Sequence, residues 1–267
     1  MKVSVVIPTH NSAKTVETAL KSIKEQTITA EIIVVDDMST DGTAEIAEKY
    51  GIVIRQKSNR LRARIIGAIN ATGDFILNMD SDQFLAKDAI ERALKVEKRI
   101  TALEEVSCGN GMIAKLNKLD KEIVHKYWRE NLDPISGAIK PRFYERDLLL
   151  QVYKKIDSLA DKLTMYEDAI TYYEAFRISN SSIQDIGYVE KAIYHLEEDS
   201  LIHYMKKWYR YGRNAKFLEQ TEYNFFLKNR GVRRGNLMEK IELLPLILIK
   251  GIPYFLGFYL SWFFWRL

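Results

Sequence analysis

The sequence predicts an α/β domain built on a mostly parallel, doubly wound β-sheet. Short, almost continuous apolar runs recur through about the first 80 residues, as expected for strands that are buried on both faces. Stretches with helical spacing separate those runs, which is the β-α-β order of a parallel sheet. Polar clusters directly follow three of the runs, where ligands bind in such sheets.

Four apolar runs are the predicted strands, and turn-forming residues or a proline bound them. They comprise residues 2–7, 31–36, 52–55 and 74–79. The first helix follows from the i, i+3, i+4, i+7 spacing of Val16, Ala19, Leu20 and Ile23. Further helices are expected at residues 43–50 and 62–71.

The pattern of residues 85–176 is less regular. A helix is predicted at residues 85–103, and two strands beside the sheet are predicted at 106–116 and 123–128. A loop is expected at residues 133–137, and helices are expected at 143–156 and 168–176.

Composition indicates an ordinary folded protein with an uneven charge distribution. The chain has 267 residues, 47% apolar and 28% charged, and its only cysteine, Cys108, excludes an intrachain disulfide. No long apolar signal segment begins the chain, so most of it is expected in the cytoplasm. Residues 201–240 carry ten Lys/Arg against three Glu, which makes a basic collar before an apolar tail. Nucleic acid would explain the collar alone, whereas a membrane surface explains both features, so no nucleic acid partner is expected.

The apolar tail is predicted to associate with a membrane. Residues 243–265 contain one charge, Lys250, and are long enough to cross a bilayer. Proline and glycine within the tail also allow a broken helix that lies in the interface. The remaining alternative is a hydrophobic hairpin that folds onto the domain or forms an oligomer contact.

Several acids follow the predicted strands and helices in positions suited to binding. Asp80 and Asp82 have the spacing of a carboxylate pair that binds Mg²⁺ or Mn²⁺, although a solvated acidic turn would look the same. Asp37 is placed to accept hydrogen bonds from a base or a ribose, or else to serve as a helix N-cap or form an Asx turn. Glu167 and Asp168 precede a helix, where a carboxylate serves as a general base or as a favourable charge at the helix start.

Four ordered stretches together resemble family 2 glycosyltransferases of the GT-A fold. They are VSVVIPTHNSAKTVETAL, EIIVVDDMSTDGT, ATGDFILNMDSD and MYEDA. The resemblance covers roughly residues 1–215 and implies a Rossmann-like sheet with a nucleotide-binding half, residues 1–105, and an acceptor-binding half, residues 106–215. Residues 216–240 are then a basic juxtamembrane collar, and residues 241–267 are a helical, membrane-associating tail.

The resemblance also implies roles for individual residues. The residues expected to bind the nucleotide are Pro8, Thr9, Asn11, Asp37, Arg64 and Asp80. Asp82 is the expected ligand of Mn²⁺ or Mg²⁺, and His195 is a second ligand unless it is a structural histidine. Asp168 is the expected catalytic base. Glu167, Lys207 and Arg210 are expected to contact phosphate or acceptor, although the last two also fit a solvated basic helix face.

The implied activity is an inverting transfer of sugar from a nucleotide-sugar donor, with UDP favoured and GDP open. The collar and the tail suggest a lipid-linked acceptor at the cytoplasmic face of a membrane: polyprenyl phosphate, a polyprenyl-diphosphate sugar or a glycolipid. The alternatives are a sugar nucleotidyltransferase and a non-catalytic membrane adaptor that retains the fold. The Q-x-x-R-W motif of processive members is absent, which argues against a polymer synthase.

Overall fold

The structure is a computed structural model that describes residues 1–135, 138–198, 200–228 and 235–260. These residues form a mixed β-sheet with helices on both faces. The strands are β1 Val3–Thr9, β2 Glu31–Asp36, β3 Ile52–Arg55, β4 Phe75–Asn78, β5 Gln83–Leu85, β6 Ile100–Cys108, β7 Phe143–Glu145 and β8 Ile186–Leu196. The helices are α1 Val16–Lys24, α2 Thr43–Ala47, α3 Arg60–Asn70, α4 Ala89–Lys95, α5 Met112–Trp128, α6 Arg146–Ile156, α7 Glu167–Ile178, α8 Leu201–Ala215, α9 Phe225–Lys228, α10 Leu237–Glu242 and α11 Leu244–Leu260.

The first half of the sheet has the predicted parallel arrangement. Its strand order is β3-β2-β1-β4-β7-β6-β8-β5, and β1 pairs in parallel with both β2 and β4. β7 runs antiparallel to β4 and β6, and β5 runs antiparallel to β8. The α/β prediction is therefore confirmed, whereas the antiparallel pairings of β5 and β7 make the sheet mixed.

Alternate residues of the central strands supply two apolar layers. Val6 and Ile76 pack on one face with α3, α6 and α7, whereas Val5 and Leu77 pack on the other with α1 and α4. Successive side chains of a strand point to opposite faces. Burial on both faces explains why these strands read as continuous apolar runs.

The predictions for residues 85–128 are wrong in part. The predicted helix 85–103 is interrupted, since only α4 is helical there and β6 begins at Ile100. The segments predicted as strands at 106–116 and 123–128 belong largely to one helix, α5, after β6 ends at Cys108. The apolar residues of α5 have helical spacing and form one buried side, which short windows of the sequence do not reveal.

Further differences from the prediction lie in residues 143–196. The predicted helix 143–156 begins as strand β7, and α6 follows from Arg146. Strand β8 has no counterpart among the predicted elements. The loop predicted at 133–137 lies partly outside the described residues, as do residues 229–234 of the collar and 261–267 of the tail.

The described part of the tail packs against the domain through α8. A Cβ atom on Gly212 would lie 2.0 Å from the backbone oxygen of Tyr254, and one on Gly257 would lie 2.1 Å from that of Tyr209. Glycine at these two positions therefore allows the backbones of α8 and α11 to approach closely. Within the described residues, no helix combines the length and the apolar character needed to cross a bilayer.

Replacing Gly257 with alanine is expected to destabilise the contact between α8 and α11. The added methyl group overpacks a backbone contact, which costs about 1–3 kcal/mol and lowers the melting temperature by roughly 2–4 °C for each kcal/mol. A Cβ atom on Gly251 of the same helix would meet no neighbouring atom within 4 Å. Gly251→Ala is therefore the matched control. Equal melting temperatures of the two variants in thermal unfolding followed by circular dichroism would contradict the close approach.

Candidate active site

A cavity of about 700 Å³ opens beyond the carboxyl ends of β1, β2 and β4. Its volume is in the range of small-molecule sites. Eight of the residues predicted to bind donor, metal or acceptor line it: Pro8, Thr9, Asp37, Asp80, Asp82, His195, Lys207 and Arg210. The structure thus brings residues from distant parts of the chain to one cavity.

The loops after β1 and β2 are held by a buried carboxylate, Asp36. Its side chain accepts hydrogen bonds from Thr9 Oγ1 at 2.8 Å and from the backbone N–H of Ser39 at 2.9 Å. Asp37 then lies at the cavity wall, where its Oδ1 accepts a hydrogen bond from the backbone N–H of Ser58 at 2.9 Å. Asn11 lies beside this wall, and its Oδ1 accepts a hydrogen bond from the backbone N–H of Thr40 at 3.0 Å.

Arg64 lies beneath the cavity and joins two of the predicted site acids. Its side chain is 2% exposed, its Nη2 donates to Asp80 Oδ1 at 2.8 Å, and its Nη1 contacts Asp168 Oδ1. Arg142 Nη2 lies 3.1 Å from Asp80 Oδ2 and 3.8 Å from Asp168 Oδ2. Two arginines therefore neutralise two carboxylates that would otherwise repel each other in a desolvated place.

These contacts keep both carboxyl groups ionised. Burial alone would raise the pKa of Asp80, but Arg142 and Arg64 outweigh it and hold the pKa well below its usual value. Burial likewise raises the pKa of Asp168, and the same two arginines, Arg64 first, bring the net pKa below its usual value. Both groups are therefore anionic at neutral pH.

Helix α7 begins next to this cluster with Glu167 and Asp168. Tyr166, directly before the helix, has the left-handed φ of 67°, which turns the chain into the helix. Glu167 is buried and accepts a hydrogen bond from Arg60 Nη1 at 2.9 Å. The side chain of Asp168 is 17% exposed. Asp168 and Glu167 are not among the residues that line the cavity, and neither are Asn11 and Arg64. Arg64 and Arg142 connect Asp168 to Asp80, which does line it.

Asp82 and His195 meet through the pairing of β5 with β8, which puts Gln83 opposite His195. His195 Nε2 lies 3.1 Å from Asp82 Oδ2. On the other side of the ring, His195 Nδ1 lies 3.0 Å from Glu105 Oε1 and 3.3 Å from Glu197 Oε1. Burial lowers the pKa of His195, but hydrogen bonds with Asp82, Glu105 and Glu197 outweigh this effect and hold the pKa well above its usual value.

Asp82 and His195 fit a divalent ion that also binds a diphosphate once His195 gives up the proton on Nε2, because only a neutral imidazole nitrogen ligates a metal. One carboxylate oxygen and one imidazole nitrogen face each other across 3.1 Å, and Mg²⁺ or Mn²⁺ commonly takes one or two protein ligands and completes its coordination with substrate phosphates and water. Among the described residues, no group of three or more His, Cys, Asp or Glu is arranged to hold a metal ion. Carboxylates on the second ring nitrogen are typical of histidines that bind metal.

Helix α8 forms a further wall of the cavity. Lys207, Trp208, Arg210 and Tyr211 line it, and Lys250 joins them from α11. Lys207 Nζ lies 5.9 Å from the ring centre of Tyr211. The sequence predicts Lys207 and Arg210 as site residues, but it presents Lys250 only as a charge within the tail.

Polar residues that the sequence does not single out complete the site. They are Arg60, Glu105, Lys121, Arg142 and Glu197. Lys121 Nζ lies 3.0 Å from Glu197 Oε1. Burial raises the pKa of Glu197, but hydrogen bonding to His195 and the charges of His195 and Lys121 outweigh it and lower the pKa to about 2. No local motif marks these residues, because strand pairing and helix packing bring them to the site.

Comparisons with known proteins agree with this architecture. The sequence profile described as "Glycosyl transferase family 2" matches residues 4–169. The poly(ribitol-phosphate) beta-N-acetylglucosaminyltransferase TarS of Staphylococcus aureus is 36% identical over 104 residues, which is 35% of this chain and 18% of TarS. The uncharacterized glycosyltransferase YfnE of Bacillus subtilis is 31% identical over 171 residues, 61% of this chain and 43% of YfnE. The chain therefore matches well under two thirds of the length of either relative.

Solved structures show the same fold. TarS residues 1–349 in complex with UDP superpose with a TM-score of 0.53 at 20% identity, covering 96% of this chain and 81% of that one. Glucosyl-3-phosphoglycerate synthase from Mycobacterium tuberculosis, in complex with Mn²⁺, UDP and phosphoglyceric acid, gives a TM-score of 0.56 at 17% identity, covering 88% and 80%. The predicted GT-A fold is confirmed, and the family profile covers more than half of the chain. The chain belongs to glycosyltransferase family 2.

Proposed function

We propose that this protein is an inverting glycosyltransferase that transfers a sugar from a UDP-sugar to a lipid-linked acceptor. The observation that carries the proposal is one cavity in which Asp37 lies at one wall and the Asp82–His195 pair at another. A nucleoside bound near Asp37 places its diphosphate towards Asp82 and His195. The UDP complexes of TarS and of glucosyl-3-phosphoglycerate synthase support a UDP donor.

The transfer requires one displacement at the anomeric carbon of the donor. The acceptor hydroxyl oxygen forms a bond to that carbon, the bond from the carbon to the diphosphate oxygen breaks, and its electron pair leaves with UDP. Asp168 accepts the hydroxyl proton, since its carboxyl group is ionised at neutral pH. Attack on the face opposite the diphosphate inverts the configuration of the carbon.

Asp82 and His195 would hold the divalent ion, Mn²⁺ or Mg²⁺. The ion supplies positive charge that stabilises the departing diphosphate. Glu105 and Glu197 hold the imidazole of His195 through Nδ1 and leave Nε2 directed at Asp82. Asp80 accepts a hydrogen bond from Arg64, forms an ion pair with Arg142 and is thereby fixed at the cavity wall.

A membrane surface is the proposed source of the acceptor. Ile252, Phe255 and Tyr259 are exposed on one side of α11, where their apolar surface fits the boundary between headgroups and acyl chains. The basic residues of α8 lie next to this helix and suit anionic lipid. In this proposal the protein lies at the cytoplasmic face of the membrane, with α11 in the plane of the interface.

Binding of UDP in the presence and absence of Mn²⁺ tests the proposed donor site. We expect Mn²⁺ to strengthen UDP binding in isothermal titration calorimetry, and Asp82→Asn to weaken the Mn²⁺-dependent affinity at least about tenfold. Asp147→Asn, an exposed acid on α6, is the control and should bind as the parent does.

Two results would contradict the proposal. The first is equal UDP affinity with and without Mn²⁺ in the parent protein and in Asp82→Asn. The second is release of pyrophosphate from UTP and a sugar phosphate, which would assign the protein to the sugar nucleotidyltransferases.

A further inference from the structure

Lys250 lies on the buried side of α11, although its sequence context is apolar. Leu246, Tyr254 and Gly257, at i−4, i+4 and i+7 from Lys250, are all buried. Residues at these spacings share one face of a helix. Lys250 therefore stands in the centre of the face that packs on the domain, and its side chain is 14% exposed.

The contacts of Lys250 fix its ammonium group at the cavity. Nζ lies 3.1 Å from Asp120 Oδ2 of α5 and 5.4 Å from the ring centre of Trp208 of α8. The close approach at Gly212 and Gly257 holds the same face of α11 against α8. The position of the charge therefore depends on the docking of the tail helix.

The wall to which Lys250 belongs is cationic. Among the described residues that line the cavity, α8 and α11 contribute Lys207, Arg210 and Lys250 and no carboxylate. The acids of the lining lie on other elements and include Asp80, Asp82 and Glu105. A cationic wall fits an anionic group on the acceptor, and lysine and arginine suit phosphate.

The other side of α11 is apolar and exposed. Ile252, Phe255 and Tyr259 point away from the side that carries Lys250. A helix with its side chains is about 10–12 Å across. A lipid whose chains contact the outer side of α11 therefore reaches the cationic wall with its headgroup, whereas a free phosphate would gain nothing from the apolar side.

We propose that Lys250, together with Lys207 and Arg210, binds the phosphate group of a lipid-borne acceptor. This inference rests on the proposed function and identifies the acceptor as a phosphate-bearing amphiphile. The tail helix is then part of the acceptor site as well as a membrane contact, because its docking supplies one of the three cations.

The test compares two variants in the full-length protein loaded with UDP and Mn²⁺. Lys250→Met/Asp120→Asn removes the cation together with the charge of its carboxylate partner, and Asp120→Asn alone keeps the cation. The probe is dioctanoyl phosphatidylglycerol, and its affinity is measured by isothermal titration calorimetry. We expect the double variant to bind it about tenfold or more weakly than Asp120→Asn, as for loss of a charge-assisted contact.

Two further ligands separate the contribution of the phosphate charge to binding from that of the acyl chains. Dioctanoylglycerol lacks the phosphate and should bind both variants equally, and glycerol phosphate lacks the chains and should bind both more weakly than the lipid. Equal affinity of the two variants for phosphatidylglycerol would overturn the role of Lys250. Glycerol phosphate binding as tightly as the lipid would overturn the lipid source. UDP binding in the same samples reports on the donor site. If the parent protein does not bind UDP, the result contradicts the proposed function and not the role of Lys250.

Discussion

Replacing Arg64 with methionine is expected to lower the free energy of unfolding by about 3–5 kcal/mol, the usual cost of removing one partner of a buried ion pair. Arg64 is almost fully buried and contacts both Asp80 and Asp168. The variant leaves these two carboxylates in a desolvated place with Arg142 as the nearest remaining cation. In a chain of this size the melting temperature should fall by about 6–20 °C.

Arg62→Met is the matched control, two residues earlier on the same helix. Arg62 pairs with Asp157 and Asp161, whose side chains are largely exposed. Such surface pairs contribute about 0–1 kcal/mol, so this variant should melt within a few degrees of the parent. Adding Asp168→Asn to Arg64→Met should recover part of the loss, because it removes one uncompensated charge. A melting temperature of Arg64→Met equal to that of Arg62→Met would show that the cluster does not stabilise the fold.

The nucleotide-binding half could be predicted from sequence because its signals are local. Each strand from β1 to β4 is an unbroken apolar run, and parallel strands joined by helices have one allowed handedness. The acids at the ends of these strands then had to meet at one edge. Asp37, Asp80 and Asp82 do line one cavity for this reason.

The second half depends on pairing between distant segments, which local patterns do not specify. β8 contains Gly187 and the exposed residues Glu190 and Lys191, so it does not read as a buried strand. Its parallel pairing with β6 sets Ser107 opposite His195 and thereby delivers Glu105 to the imidazole. Arg142 reaches Asp80 just before the antiparallel strand β7, which the sequence pattern predicts as part of a helix.

The position of Lys250 among apolar residues of the tail has two interpretations. A single lysine among apolar residues is a cost of membrane insertion when the tail is considered alone. The helical spacing of Leu246, Lys250, Tyr254 and Gly257 puts the charge on one face and Ile252, Phe255 and Tyr259 on the other. Which of the two faces packs on the domain could not be predicted, because it depends on the contact with α8.

Asp168→Asn is expected to reduce the rate of sugar transfer by about 10²–10⁴-fold, the usual contribution of a general base. The amide keeps the size of the side chain and one acceptor for Arg64 but cannot take a proton. UDP and Mn²⁺ should still bind, since Asp82 and His195 are unchanged and Asp37 lies at another wall. The measurement is kcat with the donor saturating, with UDP affinity by calorimetry as the check on folding. Asp161→Asn, an exposed acid before α7, should leave kcat unchanged.

The pH dependence of the parent protein gives the same role a second test. Arg64 and Arg142 overcome the effect of burial and hold the pKa of Asp168 below its usual value, so the base remains ionised as the pH falls from 8 to 5. Protonation of Asp168 should therefore not lower kcat/KM in this range. A decrease in kcat/KM caused by protonation of Asp168 should begin only below about pH 4. Full transfer by Asp168→Asn would contradict the base role, because the nucleophile would then arrive already ionised, as a phosphate oxygen does. In that case the phosphate held by Lys250, Lys207 and Arg210 would itself be the attacking group.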